Sequence, residues 1–207
     1  MRALPKVKVC GLTSLEDTLV AHEAGADAFG FVAVKQSQRV VSADQVAAIS
    51  AQLPPDCMRV GIFVGDSPGA VAAFADLAGL NAVQLCGSEQ PADFADFPYP
   101  ILRRLPADED GMRQLEVWRQ TAWGFVIDHP ASAGGSGEQV DEKCARELAA
   151  AAPCLLAGGL AADNVAAAAL AVEPCGVDAS SRLESAPGRK DHTQVRAFVI
   201  NALEALK

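Results

Sequence analysis

Eight short apolar runs recur along the chain, and between them apolar residues return at about every third or fourth position. The runs are Val7–Cys10, Ala28–Val32, Met58–Val64, Ala82–Leu85, Ile101–Arg104, Gly124–Ile127, Cys154–Ala157 and Gly176–Ala179. Each is mostly apolar rather than alternating, the pattern of a strand covered on both faces. The segments between them carry helix signals. Thr13-Ser14-Leu15-Glu16 and Ser42-Ala43-Asp44-Gln45 fit the capping box, and Ser67-Pro68 places proline where a first helical turn accepts it. Val71, Phe74, Ala75 and Ala78 share one helical face before the stop at Gly79, and Val195, Phe198, Val199, Ala202 and Leu206 make the stripe of a last helix. The Pro-rich patch Pro91–Pro100 reads as a poorly formed fourth helix.

The stretch Cys154–Ser181 organises this pattern. An apolar run stops at Gly158-Gly159, an alanine-rich helix headed by Asp163 and Asn164 follows, and a second run ends in Asp178-Ala179-Ser180-Ser181. A strand, a helix and a strand joined this way must be parallel. Glycines let backbone N–H groups approach a ligand closely, and a following helix aims its unpaired N–H groups at the same point. Gly158-Gly159 is therefore either a phosphate cradle or simply a tight turn. Strand ends fall at Cys10, Val32, Val64, Leu85, Arg104, Asp128, Ala157 and Ala179, with intervals from 19 residues (Leu85 to Arg104) to 32 (Val32 to Val64). Eight strands alternating with helices predict an α/β fold, a compact single-domain (β/α)8 barrel of the TIM type over residues 1–207. An open doubly wound sheet would share the local pattern, but the count favours the barrel.

Half of the residues are hydrophobic, enough for a full core, and no segment approaches the ~18 uninterrupted apolar residues of a membrane span. With no apolar signal core in Met1–Lys8, the expected location is cytoplasmic, with no membrane partner. The six cysteines are scattered, without CxxC or histidine at zinc spacing, so reduced thiols are expected and neither a disulfide framework nor a metal is implied. A net charge of −9 argues against a nucleic-acid partner. An anionic ligand would have to be captured by local backbone donors and a few placed cations.

In a barrel, chemistry belongs at the C-terminal strand ends. Those ends are Cys10, the Lys35–Arg39 loop, Cys86, Arg103-Arg104, Asp128, Gly158-Gly159 and Asp178–Ser181. Cys10 is a core filler or, beside Gly11 and ahead of a helix N-terminus that could lower its pKa, a reactive thiol. Asp128 ends an apolar strand, so it either caps the polar loop His129–Val140 or acts on a ligand.

These residues carry a family resemblance. Lys8-Val9-Cys10-Gly11-Leu12-Thr13 resembles the opening signature of the phosphoribosylanthranilate isomerases of tryptophan biosynthesis. Gly25–Phe31, Ser37-Gln38-Arg39, Val60–Val64, Val83-Gln84-Leu85, Asp128, Gly134-Gly135-Ser136-Gly137, Leu156–Leu160 with Asn164-Val165, and Gly176-Val177-Asp178 through Lys190-Asp191 resemble further blocks of that family in the same order. The resemblance spans essentially the whole chain.

It implies a (β/α)8 barrel that converts N-(5-phosphoribosyl)anthranilate to 1-(2-carboxyphenylamino)-1-deoxyribulose 5-phosphate, an Amadori rearrangement needing neither metal nor organic cofactor. By resemblance, Asp128 is the general acid that opens the furanose and Cys10 the base that removes the C2 proton, a role for which a thiol needs only a modest fall in pKa. The phosphate is assigned to Gly158, Gly159, the loop Asp178, Ser180 and Ser181, and a short helical turn after it. Arg39 is placed over the anthranilate ring or its carboxylate, and Gly137 in a loop that closes over the sugar. Cys86 stands where the family has a substrate-contacting histidine, Arg182 where it prefers glycine, Glu138 where lysine is common, and Ser37-Gln38-Arg39 lacks the usual proline. His22 and His192 are expected at helix surfaces or caps, and His129, beside Asp128, is either a solvated loop histidine or a group that tunes that carboxyl. Monomer and homodimer are both compatible with the sequence.

Overall fold

The computed structural model describes residues 3–130 and 140–207. Eight strands appear where the apolar runs predict them: β1 (Val7–Val9), β2 (Ala28–Val32), β3 (Met58–Phe63), β4 (Ala82–Leu85), β5 (Ile101–Pro106), β6 (Gly124–Asp128), β7 (Cys154–Leu156) and β8 (Gly176–Ala179). They form a closed parallel barrel in sequence order, with β1 paired to both β2 and β8. Among the described residues seven α-helices cover it: α1 (Leu15–Ala24), α2 (Ala43–Ser50), α3 (Pro68–Ala78), α4 (Glu109–Trp118), α5 (Glu142–Ala151), α6 (Val165–Val172) and α7 (His192–Ala205). Between β4 and β5 a single 3₁₀ turn, Pro91–Phe94, replaces a helix. Prolines at 91, 98 and 100 withhold the N–H groups a longer helix would need.

The helix starts follow side-chain chemistry. Ser42 and Gln45 form the complete capping box, and Ser67 caps α3 ahead of Pro68. At α1 the cap is Ser14, which accepts from the Asp17 N–H. The cap therefore lies one residue beyond the predicted Thr13–Glu16 box, and no box closes there, since the Asp17 carboxylate meets the Lys190 N–H and His192 instead. Thr13 instead donates to the Gly188 carbonyl at 2.5 Å.

Two apolar layers result. Val7, Val9, Phe29, Phe31, Leu85 and Ile127 point outward into the layer under the helices, while Ala28, Met58, Val60, Ala82, Leu102, Val126, Leu155 and Ala157 fill the barrel itself. Successive side chains of a strand leave opposite faces, so the even positions of β1 to β6 face inward. Lys8, Gln84, Arg104 and Asp128 share that parity. After β8 a 3₁₀ turn, Ser181–Leu183, leads into an antiparallel hairpin, β9 (Glu184–Ala186) and β10 (Arg189–Lys190), which the sequence does not signal. Among the described residues no helix is long and apolar enough to cross a membrane.

Candidate active site

A cavity of about 360 Å³ opens at the C-terminal ends of the strands, lined by residues from all eight strand ends. Cys10 lies on its wall just past β1, hydrogen-bonded through its N–H to the Ala179 carbonyl on β8. Gly30 on β2 makes room for it: a Cβ there would stand 2.7 Å from the Cys10 sulfur. Below it, the fully buried side chain of Lys8 places Nζ 2.8 Å from Asp178 Oδ2, its register partner on β8. Burial pushes the Cys10 thiol up, and the cations of Lys8 and Lys190 counter only part of that push. The fall expected from a neighbouring helix N-terminus is not found, because α1 starts only at Leu15 and loss of water around the sulfur outweighs the local positive charges.

Asp128 ends β6, three strand pairings from β1 round the ring, at the same cavity. Its Oδ1 accepts from the His129 N–H at 2.8 Å, and its Oδ2 lies 3.6 Å from Arg104 Nε. Arg104 in turn donates to the His129 carbonyl at 2.6 Å, so the guanidinium and the loop fix the carboxyl together. Gly158, at φ 81°, closes this corner: a Cβ there would meet Val140 Cγ1 at 2.8 Å and Asp128 Oδ1 at 3.3 Å. The Gly158-Gly159 turn is clamped by Asn164, which donates to the Gly159 carbonyl at 2.9 Å and accepts from the Ala161 N–H at 2.8 Å. Gly158, Gly159, Ser180 and Ser181 border one end of the cavity, joined by Arg182.

At the mouth, Arg39 donates from Nε and Nη2 to the Glu184 carboxylate, both at 2.8 Å. Glu184 also accepts from Lys190 Nζ at 2.9 Å, and the same ammonium reaches the Ser180 carbonyl at 3.1 Å. The hairpin thus ties the arginine to the strand end that borders the glycine turn. Gly11, at φ 73°, permits the crossing, since a Cβ would meet Arg39 Cδ at 2.6 Å and Ser180 Oγ at 2.8 Å. Burial alone would push the Glu184 carboxyl up, but the bonds from Arg39 and Lys190 hold it below the ordinary range.

Of the residues named from sequence, Cys10, Arg39, Cys86, Asp128, Gly158, Gly159, Asp178, Ser180 and Ser181 all line this one cavity. Gly137 and the loop 134–137 lie outside the described residues. Asp178 departs from its assigned place with the phosphate: its carboxylate is buried against Lys8, and a negative group would repel a phosphate. Cys86, partly open to the cavity, accepts from Gln84 Nε2 at 3.4 Å, and burial pushes its thiol up to about 11. It is a neutral group where a histidine would offer a stronger donor or acceptor. Sequence reasoning assigns no role to Lys8, Gln84, Arg104, Glu184 and Lys190, naming Arg104 only beside Arg103 as a strand end. Parity along the strands could have found the first three, and nothing local marks the last two. Of the histidines, His192 pairs with Asp17 at 2.8 Å and His22 lies 3.7 Å from the Cys57 sulfur, both away from the cavity. Among the described residues no cluster of three or more His, Cys, Asp or Glu side chains could hold a metal ion.

A closed barrel with a thiol, a carboxyl and a glycine turn around one cavity at its C-terminal rim defines a (β/α)8-barrel enzyme that works on a small anionic molecule. The profile of the N-(5'phosphoribosyl)anthranilate (PRA) isomerase family matches residues 7–201. The chain belongs to that family. An N-(5'-phosphoribosyl)anthranilate isomerase of Pelobacter propionicus is 42% identical over 202 residues, covering 96% of each chain. The phosphoribosyl anthranilate isomerase of Thermotoga maritima superposes with a TM-score of 0.90 at 34% identity, over 97% of this chain and 100% of that one. A phosphoribosyl anthranilate isomerase in complex with reduced 1-(o-carboxyphenylamino)-1-deoxyribulose 5-phosphate superposes at 0.87 with 33% identity, over the same shares of the two chains.

Proposed function

We propose that the cavity binds N-(5'-phosphoribosyl)anthranilate and isomerises it to 1-(2-carboxyphenylamino)-1-deoxyribulose 5-phosphate, a step of tryptophan biosynthesis. The observation that carries this reading is the placement of Cys10 and Asp128. They sit three strand pairings apart round an eight-strand ring and both line one cavity of about 360 Å³, which has room for a sugar between them.

Asp128 donates a proton to the furanose ring oxygen as the bond from C1 to that oxygen breaks, and the anthranilate nitrogen forms an iminium with C1. The Cys10 thiolate removes the proton from C2, whose bonding electrons move into a C1–C2 double bond and neutralise the iminium. The enolamine then tautomerises to the amino ketone. Proton transfer from placed groups of this kind contributes about 10²–10⁴-fold each. His129 N–H and Arg104 hold the acid in one orientation, and the Lys8 charge favours the thiolate form of the base. The phosphate is assigned to Gly158, Gly159, Ser180 and Ser181, where main-chain donors and hydroxyls can meet it, and the anthranilate carboxylate to the guanidinium edge of Arg39 that Glu184 leaves open. The reading is compatible with a monomer or a homodimer alike. A cytoplasmic location accords with the phosphorylated substrate and the free cysteines.

The test is the loss of anthranilate-type fluorescence on adding enzyme to freshly generated phosphoribosylanthranilate. The wild type removes the signal, while Cys10→Ser and Asp128→Asn keep their fold and lose most turnover. Wild-type rates in either folded variant would refute the role given to that residue.

A further inference from the structure

We propose that the buried ammonium of Lys8 is the positioning counter-ion of the Cys10 thiolate, holding the sulfur in place and stabilising the charge it carries before it takes a proton. The inference rests on the reading of Cys10 as the base.

Its ground is geometric. Lys8 and Cys10 are two positions apart on one extended segment, so both side chains leave its inner face. The ammonium donates to Asp178 Oδ2 at 2.8 Å, one residue pair below the Cys10 sulfur on the same inner face, and its charge acts on that sulfur. An ammonium carries three donor protons, so it can serve both partners at once. Barrel interiors are ordinarily filled by branched apolar side chains, and burying two charges there is unfavourable unless each is paired. A purely structural ion pair would be closed on itself. This one is open: Asp178 Oδ1 is buried with no hydrogen-bond partner, and Asp178 and Cys10 both border the cavity.

The groups that face Cys10 come from five places: Lys8 on β1, Asp178 on β8, Lys190 on the hairpin, Arg39 from the loop after β2, and Cys86 after β4. Lys190 is bound to Glu184 and the Ser180 carbonyl, and Arg39 is bound to Glu184. Lys8 is the cation that shares the inner face of one extended segment with the sulfur, and among the charges around the thiol its charge lowers it most. When the thiolate takes the C2 proton, an S–H bond forms, the C2–H bond breaks, and its electron pair moves toward C1. Lys8 keeps its own proton throughout, and burial notwithstanding, Asp178 and Cys10 hold its pKa above the ordinary lysine value.

The experiment titrates the Cys10 thiolate by its ultraviolet absorbance, each protein being measured against the same protein carrying Cys10→Ser. Lys8→Met should raise the midpoint by about one pH unit or more, and Asp178→Asn should lower it. The double variant Lys8→Met/Asp178→Asn removes both charges, leaves no uncompensated carboxylate, and keeps the test available if Lys8→Met alone does not fold. Its midpoint should lie about a unit above that of Asp178→Asn. The acid limb of its kcat/KM profile should move by the same amount, which lost packing alone would not do. Equal midpoints in the double variant and Asp178→Asn would overturn the proposal. So would a shifted midpoint in an enzyme whose Cys10→Ser variant still turns over. In that second case the fault lies with Cys10 as the base, and in the first with Lys8.

Discussion

Gly30 stands so close to Cys10 that a methyl group on its α-carbon would lie 2.7 Å from the sulfur and 3.0 Å from the Cys10 α-carbon. A hydrogen in place of a side chain on β2 therefore sets where the thiol on the neighbouring strand can sit.

Gly30→Ala should leave the barrel folded and displace the sulfur. Overpacking of this kind destabilises by about 1–3 kcal/mol, while misplacing a reacting group by an ångström can lower turnover about 10²-fold. We expect kcat to fall by about that factor while circular dichroism stays native. A variant with native-like kcat would show that the sulfur need not occupy this position.

Burial raises the Cys10 thiol above its ordinary value of 9.0 despite Lys8 and Lys190. The proton-accepting thiolate therefore grows in only as pH rises, and kcat/KM should climb through neutrality without levelling off below about pH 8.5. The stability sign follows from the same shift. A folded-state pKa above the unfolded one gives a contribution that is fully present below the unfolded value and lost as pH rises through the folded value. Urea midpoints of the wild type should thus drop more steeply than those of Cys10→Ala above pH 9.0.

Glu184→Gln should loosen Arg39 and Lys190 together, since one carboxylate accepts from both. The amide offers one acceptor where there were two and turns a donor toward a donor. KM should rise about tenfold, corresponding to ~1.4 kcal/mol of binding, with a smaller change in kcat. Because the folded-state pKa of Glu184 is depressed, its contribution to stability is complete above the ordinary value of 4.5 and lost as pH falls through the folded value. Acid denaturation in that range should be less steep for the variant, and identical acid curves would count against the linkage.

Arg182 borders the glycine-turn end of the cavity and is held only loosely, its Nη2 lying 3.4 Å from an exposed Asp163 carboxylate. Such a surface pair contributes under about 1 kcal/mol, so the guanidinium is free to turn toward a phosphate. Arg182→Ala should raise KM several-fold, leave kcat in place and weaken the salt dependence of kcat/KM. An unchanged salt dependence would exclude the contact.

Much of this site was legible in the linear order of residues. Cys10, Asp128, Gly158 and Asp178 stand at ends of apolar runs, and a closed parallel barrel gathers all such ends at one rim. The sequence offered Arg103 and Arg104 together, and the structure separates them: Arg104 faces the cavity, while Arg103 turns outward to Glu89 at 2.7 Å and over the ring of Trp118. The shifted cap at Ser14 and the single 3₁₀ turn at Pro91–Phe94 are local corrections.

The sequence by itself determined eight apolar runs, their spacing and the chemistry at their tips, because strand period and capping act between residues a few positions apart. Only the tertiary structure decided that Lys8 meets Asp178 across 170 positions, that Glu184 holds Arg39 across 145, and that the Cys10 thiol is pushed up rather than down. Those outcomes depend on ring closure and on the exclusion of water from the barrel. A local pattern carries neither, since both arise when distant segments meet.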